Sequence, residues 1–222
     1  MWNRIPIVIG SLARIAAPSF LLSISTAVFA AQPTVEITSP ANGAVVYAGH
    51  TLLVVVKATP LAFQSVDVGL HAPIGNLWML TAPPYEFQIP IPANTTSGPC
   101  IIAARGVIGP NHTVWAEFIE VDIERPDSPQ SLRNEFSIIS SYRVGVTIPL
   151  QVTGTFADGS HVDVTRSSRL KWISSDPSVA SIDKNGMVTV TGPGTAKITI
   201  TYDDATVVVP VTVPKPKDPE DR

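Results

Sequence analysis

The chain has 222 residues, 45% of them apolar and only 15% charged, which supports a hydrophobic core and excludes a disordered tail or a coiled coil, both of which need far more charge. Twenty-one prolines and fourteen glycines, without collagen's three-residue period, interrupt the chain too often for long helices, so a strand-and-turn fold is favoured. The net charge of −3 repels phosphate backbones, and no nucleic-acid partner is expected.

At the start of the chain Arg4 and Arg14 flank a short basic region, an apolar run extends from Ile15 to Phe29, and Val28-Phe29-Ala30 is a small-x-small cleavage signal. This pattern predicts a signal peptide over residues 1–30, cleaved after Ala30. A membrane anchor is the alternative, but the run is short and rich in Ser and Ala for a span of about 20 residues. Removal takes away two arginines and no acid, so the net charge of the remainder becomes −5. The expected address is secreted, periplasmic or cell-surface associated, with no membrane span after cleavage and a polar tail over residues 215–222.

Two blocks follow, at residues 33–125 and 126–214. In the first, candidate strands are Val35 to Thr38, Thr51 to Ala58, Val66 to His71, Leu77 to Thr81, Tyr85 to Ile89, Cys100 to Val107 and Thr113 to Ile123, with Pro or Gly in nearly every connection. Seven short strands suggest a β-sandwich. Cys100 is the single cysteine, so no internal disulfide can form. A buried strand residue is the expected role, an intermolecular disulfide or a nucleophile the alternative. Glu124-Arg125-Pro126-Asp127-Ser128-Pro129 then reads as a short stiff linker.

In the second block Ile148, Leu150, Val152, Gly154 and Phe156 alternate with Pro149, Gln151, Thr153 and Thr155, which predicts one half-buried strand. Asp158-Gly159 supplies a tight turn, and Val162 and Val164 resume the alternation to complete a hairpin. A second turn at Lys184-Asn185-Gly186 separates Val179 to Ile182 from Met187 to Val190. After the break at Gly192-Pro193-Gly194, the residues Ala196, Ile198, Ile200 and Tyr202 define another strand, and Asp203-Asp204 turns into a last one at Val207, Val209, Val211 and Val213. The expected fold class is therefore all-β, two tandem sandwiches after a cleaved signal.

The run Leu150-Gln151-Val152-Thr153-Gly154-Thr155-Phe156-Ala157-Asp158-Gly159-Ser160, then Asp163-Val164-Thr165, Trp172 to Asp183, Asn185-Gly186-Met187-Val188 and Gly194-Thr195-Ala196, resembles the bacterial immunoglobulin-like domain, group 2, over residues 130–213. That module occurs in intimin and invasin. The first block, through Val35 to Gly43 and the strand from Gly49 to Val56, resembles a looser relative. The resemblance implies an architecture and an extracytoplasmic role in contacts or spacing, and no catalytic residue. Its structural positions are Trp172, expected to fill the space between two sheets, Asn185 and Gly186 in a turn, and Gly194 at a close backbone approach.

His50, His71, His112 and His161 sit near turns or strand ends with no His-x-x-His or Cys-x-x-Cys spacing, which predicts surface histidines rather than zinc. No Gly-x-Ser-x-Gly elbow occurs, and no enzyme is expected. Calcium is a candidate at Asp158 and Asp163 or at Asp203-Asp204, although ordinary turn chemistry accounts for the same residues. Glu117, Glu120, Asp122 and Glu124 alternate with Ile119, Val121 and Ile123, which predicts a solvated acidic strand face. Trp78, Trp115, Tyr85 and Phe87 are expected to pack in the core, the usual destination of such rings, with a sugar-binding platform the alternative. Asn94-Thr95-Thr96 and Asn111-His112-Thr113 fit the glycosylation sequon and mark exposed loops. The expected function is a binding, adhesion or spacer module at the cell envelope, its partner an envelope or extracellular protein or polysaccharide; a carbohydrate-binding accessory protein is the alternative.

Overall fold

The structure, a computed structural model, describes residues 32–59, 63–141 and 143–215, all within one compact unit spanning Gln32–Arg222. The expected signal peptide and nearly all of the polar tail lie outside the described residues. Every regular element among the described residues is a strand. In chain order they are β1 (Thr34–Ser39), β2 (Val45–Tyr47), β3 (Thr51–Thr59), β4 (Ser65–Leu70), β5 (Asn76–Leu80), β6 (Tyr85–Pro90), β7 (Gly98–Gly109), β8 (His112–Trp115), β9 (Ile119–Glu124), β10 (Ser131–Asn134), β11 (Ile139–Ser140), β12 (Thr147–Pro149), β13 (Val152–Thr155), β14 (His161–Asp163), β15 (Leu170–Ser174), β16 (Ala180–Ile182), β17 (Met187–Val190), β18 (Gly194–Tyr202) and β19 (Ala205–Val213). The chain folds as all-β sandwich architecture, as its period-two patterning dictates.

In the first half, β3 is the clearest case of sequence setting structure. Leu52, Val54, Val56 and Ala58 are buried while the alternating Thr51, Leu53 and Lys57 face out. It pairs antiparallel with β1 and β6. Facing this three-stranded sheet is a six-stranded one of order β2-β9-β7-β4-β5, with β8 beside β7. Val54, Val66, Val68, Ile89, Ile102 and Ile123 fill the space between. The stretch Thr113 to Ile123, read from sequence as one strand, is two. β8 ends at Trp115, and β9 begins at Ile119 to pair with another part of β7.

In the second half a separate cluster holds Leu150, Val152, Phe156, Val188, Ile198, Ile200, Tyr202 and Val209. The sheets are β10-β13-β14, β11-β19-β18-β15 and β12-β17-β16. The single strand expected over Ile148 to Phe156 is split between two of these: β12 pairs with β17, whereas β13 pairs with β10 and β14. Between them, Leu150 donates its N–H to the carbonyl of Gly186 and sends its side chain into the core. The alternation survives the change of sheet because Leu150 and Val152 both point to the same interior, so periodicity alone does not reveal the break. The two hairpin turns form as their residues require: Gly159 and Gly186 take φ of 80° and 77°.

Candidate functional site

The outward face of the six-stranded sheet carries the most chemically distinctive surface. Register across the sheet sets Met79, Asp67, Arg105 and Trp115 side by side, from β5, β4, β7 and β8. One step along the strands the same register sets Leu77, Gly69 and Ala103 in a row. Small residues in the middle and large ones at the sides make a trough of about 210 Å³, with Gly69 and Ala103 on its floor, Leu77 and Trp115 as walls, and His71 at one end. Trp115 is 54% exposed and Leu77 63%.

Trp115 is held in place on two sides. Arg105 lies 5.6 Å from its ring centroid, and Phe118 meets it edge-on at 6.0 Å. Arg105 is itself fixed by donating from Nε to Asp67 Oδ2 at 2.9 Å. The Asp67 carboxylate is nearly buried and also accepts from the Ser65 hydroxyl at 3.1 Å. An exposed aromatic ring with an immobilised cation behind it, beside an apolar trough, can take up an apolar or sugar-like group from a partner at small entropic cost.

The four rings do not assemble into a sugar platform, and three of them pack in or against the core as expected. Tyr85 and Phe87 are buried in the first core, and Trp78 packs against that core from the inner face of β5. Only Trp115 stands on the outer face. The reason is the strand period: β6 points every second residue inward, and both rings fall on that phase.

The second feature is the junction between the two cores. Glu124, expected on a solvated face, is instead 2% exposed. The hydroxyl of Ser167 donates to both of its carboxylate oxygens, at 2.9 and 2.7 Å, and the Ser168 N–H and hydroxyl donate to Oε1 at 2.7 and 3.0 Å. The Tyr202 hydroxyl approaches Oε2 at 3.4 Å. Glu120 is exposed and Asp122 half-buried, so the face is solvated as far as the point where the second half covers it.

The segment Glu124 to Pro129, expected as a short stiff linker, is packed into this junction. Arg125 is buried, with its guanidinium 4.3 Å from the centroid of Phe156 and bonded to Asp127, Asp158 and the carbonyl of Ala93. Arg169 lies 4.6 Å from the Tyr202 ring centroid, bonds to Asp203, and donates to the carbonyl of Arg125. A backbone bond from Ser97 N–H to the Asp163 carbonyl crosses the junction too. Gly98, with φ of 126°, permits this approach, because a Cβ there would lie 2.6 Å from Cβ of Arg166. Beside the junction a cleft of about 520 Å³ has Glu120 and Asp122 on one wall and Arg166 and Lys184 on the other.

These contacts account for the acids considered for calcium. The Ser160 hydroxyl and N–H, with Arg125, hold Asp158 at about 2, well below the usual carboxylate range. Burial works against ionisation of Asp203, but the Ser128 hydroxyl and Arg169 outweigh it and lower its pKa. Asp163 accepts from the N–H of Thr165, as turn chemistry predicts. A cation at Asp158 or Asp203 would have to displace a guanidinium. Among the described residues, no group of three or more His, Cys, Asp or Glu side chains has a metal-holding arrangement.

The remaining candidates are placed as follows. His50, His71, His112 and His161 are all exposed and are not brought together. Cys100 is 1% exposed on β7, and burial pushes its thiol up to about 11. Trp172 is half-buried on β15, an edge strand, at the rim of the second core. Tyr202 and Phe156 are the large side chains at its centre. Asn185 donates its N–H to Asp183 in the turn before β17, and Gly194 opens β18, where a Cβ would meet Val179 at 2.8 Å.

Gly186 answers to two constraints at once, its positive φ and the Trp172 ring, which would lie 2.8 Å from a Cβ. Gly186→Ala is therefore expected to lower the unfolding free energy by about 1–3 kcal/mol, read from urea denaturation. An unchanged midpoint would show that the turn relaxes.

No curated protein matches the chain at significant similarity. Solved structures matching it include the fibronectin(III)-like modules of Clostridium thermocellum CbhA, at 16% identity over 82% of this chain and 94% of that one, with a TM-score of 0.36. Another is the surface layer protein SbsC, domains 1-6, at 15% identity over 84% of this chain and 28% of that one, with a TM-score of 0.35. A third, Dpr2 Ig1-Ig2 in complex with DIP-Theta Ig1-Ig3, has 9% identity over 82% and 64%, with a TM-score of 0.37. At such scores the likeness carries neither geometry nor function to this chain. Residues 138–213 match the bacterial Ig-like domain (group 2), the family that the motifs of the second half resemble.

Proposed function

We propose that the protein is an exported, non-catalytic binding or adhesion module of the cell envelope, built from two tandem immunoglobulin-like sandwiches at 33–125 and 126–214, whose contact surface is the trough between Leu77 and Trp115. The observation that carries this reading is Trp115 itself. A tryptophan more than half exposed, yet immobilised by Arg105 and Phe118 beside an apolar recess, matches the anchor residues that dominate binding energies at interfaces. The group 2 match over residues 138–213 supports an extracytoplasmic setting, and the second half then serves as a spacer that presents the face. The partner is an envelope or extracellular protein or polysaccharide.

The carbohydrate reading is narrower than four rings allowed. It now rests on Trp115 alone, with Arg105 and His71 as the polar groups near a sugar ring.

Binding of the purified protein to envelope extracts, compared with Trp115→Ala, tests the proposal. The variant is expected to bind at least about tenfold more weakly while its melting temperature stays within a degree or two, since the ring is exposed. Equal binding by the variant overturns the assignment of the face. Glycosidase or protease treatment of the extract separates the two partner classes.

A further inference from the structure

The edge of the six-stranded sheet at β5, whose Leu77 also walls the trough, points to a partner of its own. From Val68 to Tyr85 the chain has eighteen residues without one Asp, Glu, Lys or Arg, in a protein that is 15% charged overall. Apolar composition would explain this in a buried segment. Yet from His71 to Pro84 every residue is exposed apart from Ile74, Trp78 and Leu80, which are half-buried.

Within this segment β5, Asn76-Leu77-Trp78-Met79-Leu80, is an edge strand with β4 on one side only. Sheet edges normally carry a charge or a proline that discourages pairing with another chain. The other described edge strands of five or more residues conform: β1 has Glu36, β6 has Glu86 and Pro90, and β15 has Lys171. β5 has neither, and its outward side chains, Leu77 at 63% and Met79 at 61%, are among the most exposed large apolar groups of the protein.

We infer that β5 pairs antiparallel with β5 of a second copy about a two-fold axis through Trp78. The argument for this occupant is self-complementarity. With Trp78 opposite its own copy, Leu77 of each chain stands opposite Met79 of the other, so both exposed apolar side chains are covered by the same operation. Asn76 falls opposite Leu80, and the loops on either side, His71 to Gly75 and Thr81 to Pro84, bring no like charges together. A charged or proline-bearing partner strand would leave Leu77 and Met79 less well matched. The result is one continuous sheet across two molecules. Five residues a side place this at the small end of specific interfaces, under about 1,200 Å² in total, so the dimer is weak and concentration-dependent.

Sedimentation equilibrium of the purified protein, from micromolar to about millimolar concentration, is the first test, with a monomer–dimer transition inside that range the expected result. Met79→Lys restores the missing edge charge at an exposed position and is expected to weaken the dimer at least about tenfold, with an unchanged thermal melt showing that the fold persists. A double variant Leu77→Cys, Met79→Cys is expected to form a covalent dimer on mild oxidation. A matched pair at other exposed apolar positions, Leu53→Cys with Val208→Cys, is expected to form none. A protein monomeric throughout the range, a dimer indifferent to Met79→Lys, or cross-linking no better than the control pair would each overturn the inference. Leu77 belongs to both surfaces but Met79 does not line the trough, so the response of the dimer to Met79→Lys and the response of binding to Trp115→Ala separate the two readings.

Discussion

Replacing Phe156 with alanine is expected to remove about 3–5 kcal/mol from the stability of the second half, the largest effect of any single truncation considered for this protein. The ring is 1% exposed and central to the second core, with no room for collapse on the side where it lies against Gly154. It also forms the apolar side of the junction, because the Arg125 guanidinium sits over it at 4.3 Å. Its loss should thus cost a cavity and, in addition, about 0.5–2 kcal/mol of cation–π attraction. Chemical denaturation followed by far-ultraviolet circular dichroism gives the number. Phe156→Leu, which keeps most of the volume, should recover more than half of it, and a loss under 1 kcal/mol for the alanine variant would show that the core repacks around the space.

Glu124→Ala should cost about 3 kcal/mol and, more tellingly, change the shape of the unfolding curve. The carboxylate satisfies three donors supplied by Ser167 and Ser168 and counterbalances the neighbouring Arg169, all from the far side of the junction. Without it those donors are left buried and unpaired. The expected result is one calorimetric transition for the native protein and two for the variant, since each core has its own apolar cluster and retains it. Glu124→Gln keeps an acceptor and the shape, and should give an intermediate loss with the single transition preserved. Two transitions in the native protein would mean that the junction does not couple the halves.

That coupling is the part of the molecule that sequence reading missed, for a definite reason. The acids of β9 alternate with apolar residues, so local period places Glu124 with Glu120 on the wet side of the sheet, and for Glu120 the placement is right. Whether that side is covered depends on residues 43, 44 and 78 positions further along the chain, which no window of alternation can register. The hairpins at Asp158-Gly159 and Lys184-Asn185-Gly186 were readable because both the turn signal and the pairing are local. β2 and β15 were not read as strands: the first is three residues long, and the second interrupts its pattern with an exposed Ile173. The trough failed to emerge for the same reason as Glu124. Its floor and walls come from β4, β5, β7 and β8, and only the register of the sheet brings Gly69 beside Ala103.

The lone thiol of Cys100 has a consequence in time rather than in space. With its pKa near 11, only about one molecule in ten thousand carries a thiolate at pH 7, and the sulfur is sealed within the central strand of the six-stranded sheet. A thiol reagent therefore reacts with it only in the brief intervals when that sheet opens. In an oxidising compartment the residue acts as a clock on the first half. Copies that stay folded keep it running unread, while copies that linger open are marked by a mixed disulfide, and the rate of marking measures how often the sheet lets go.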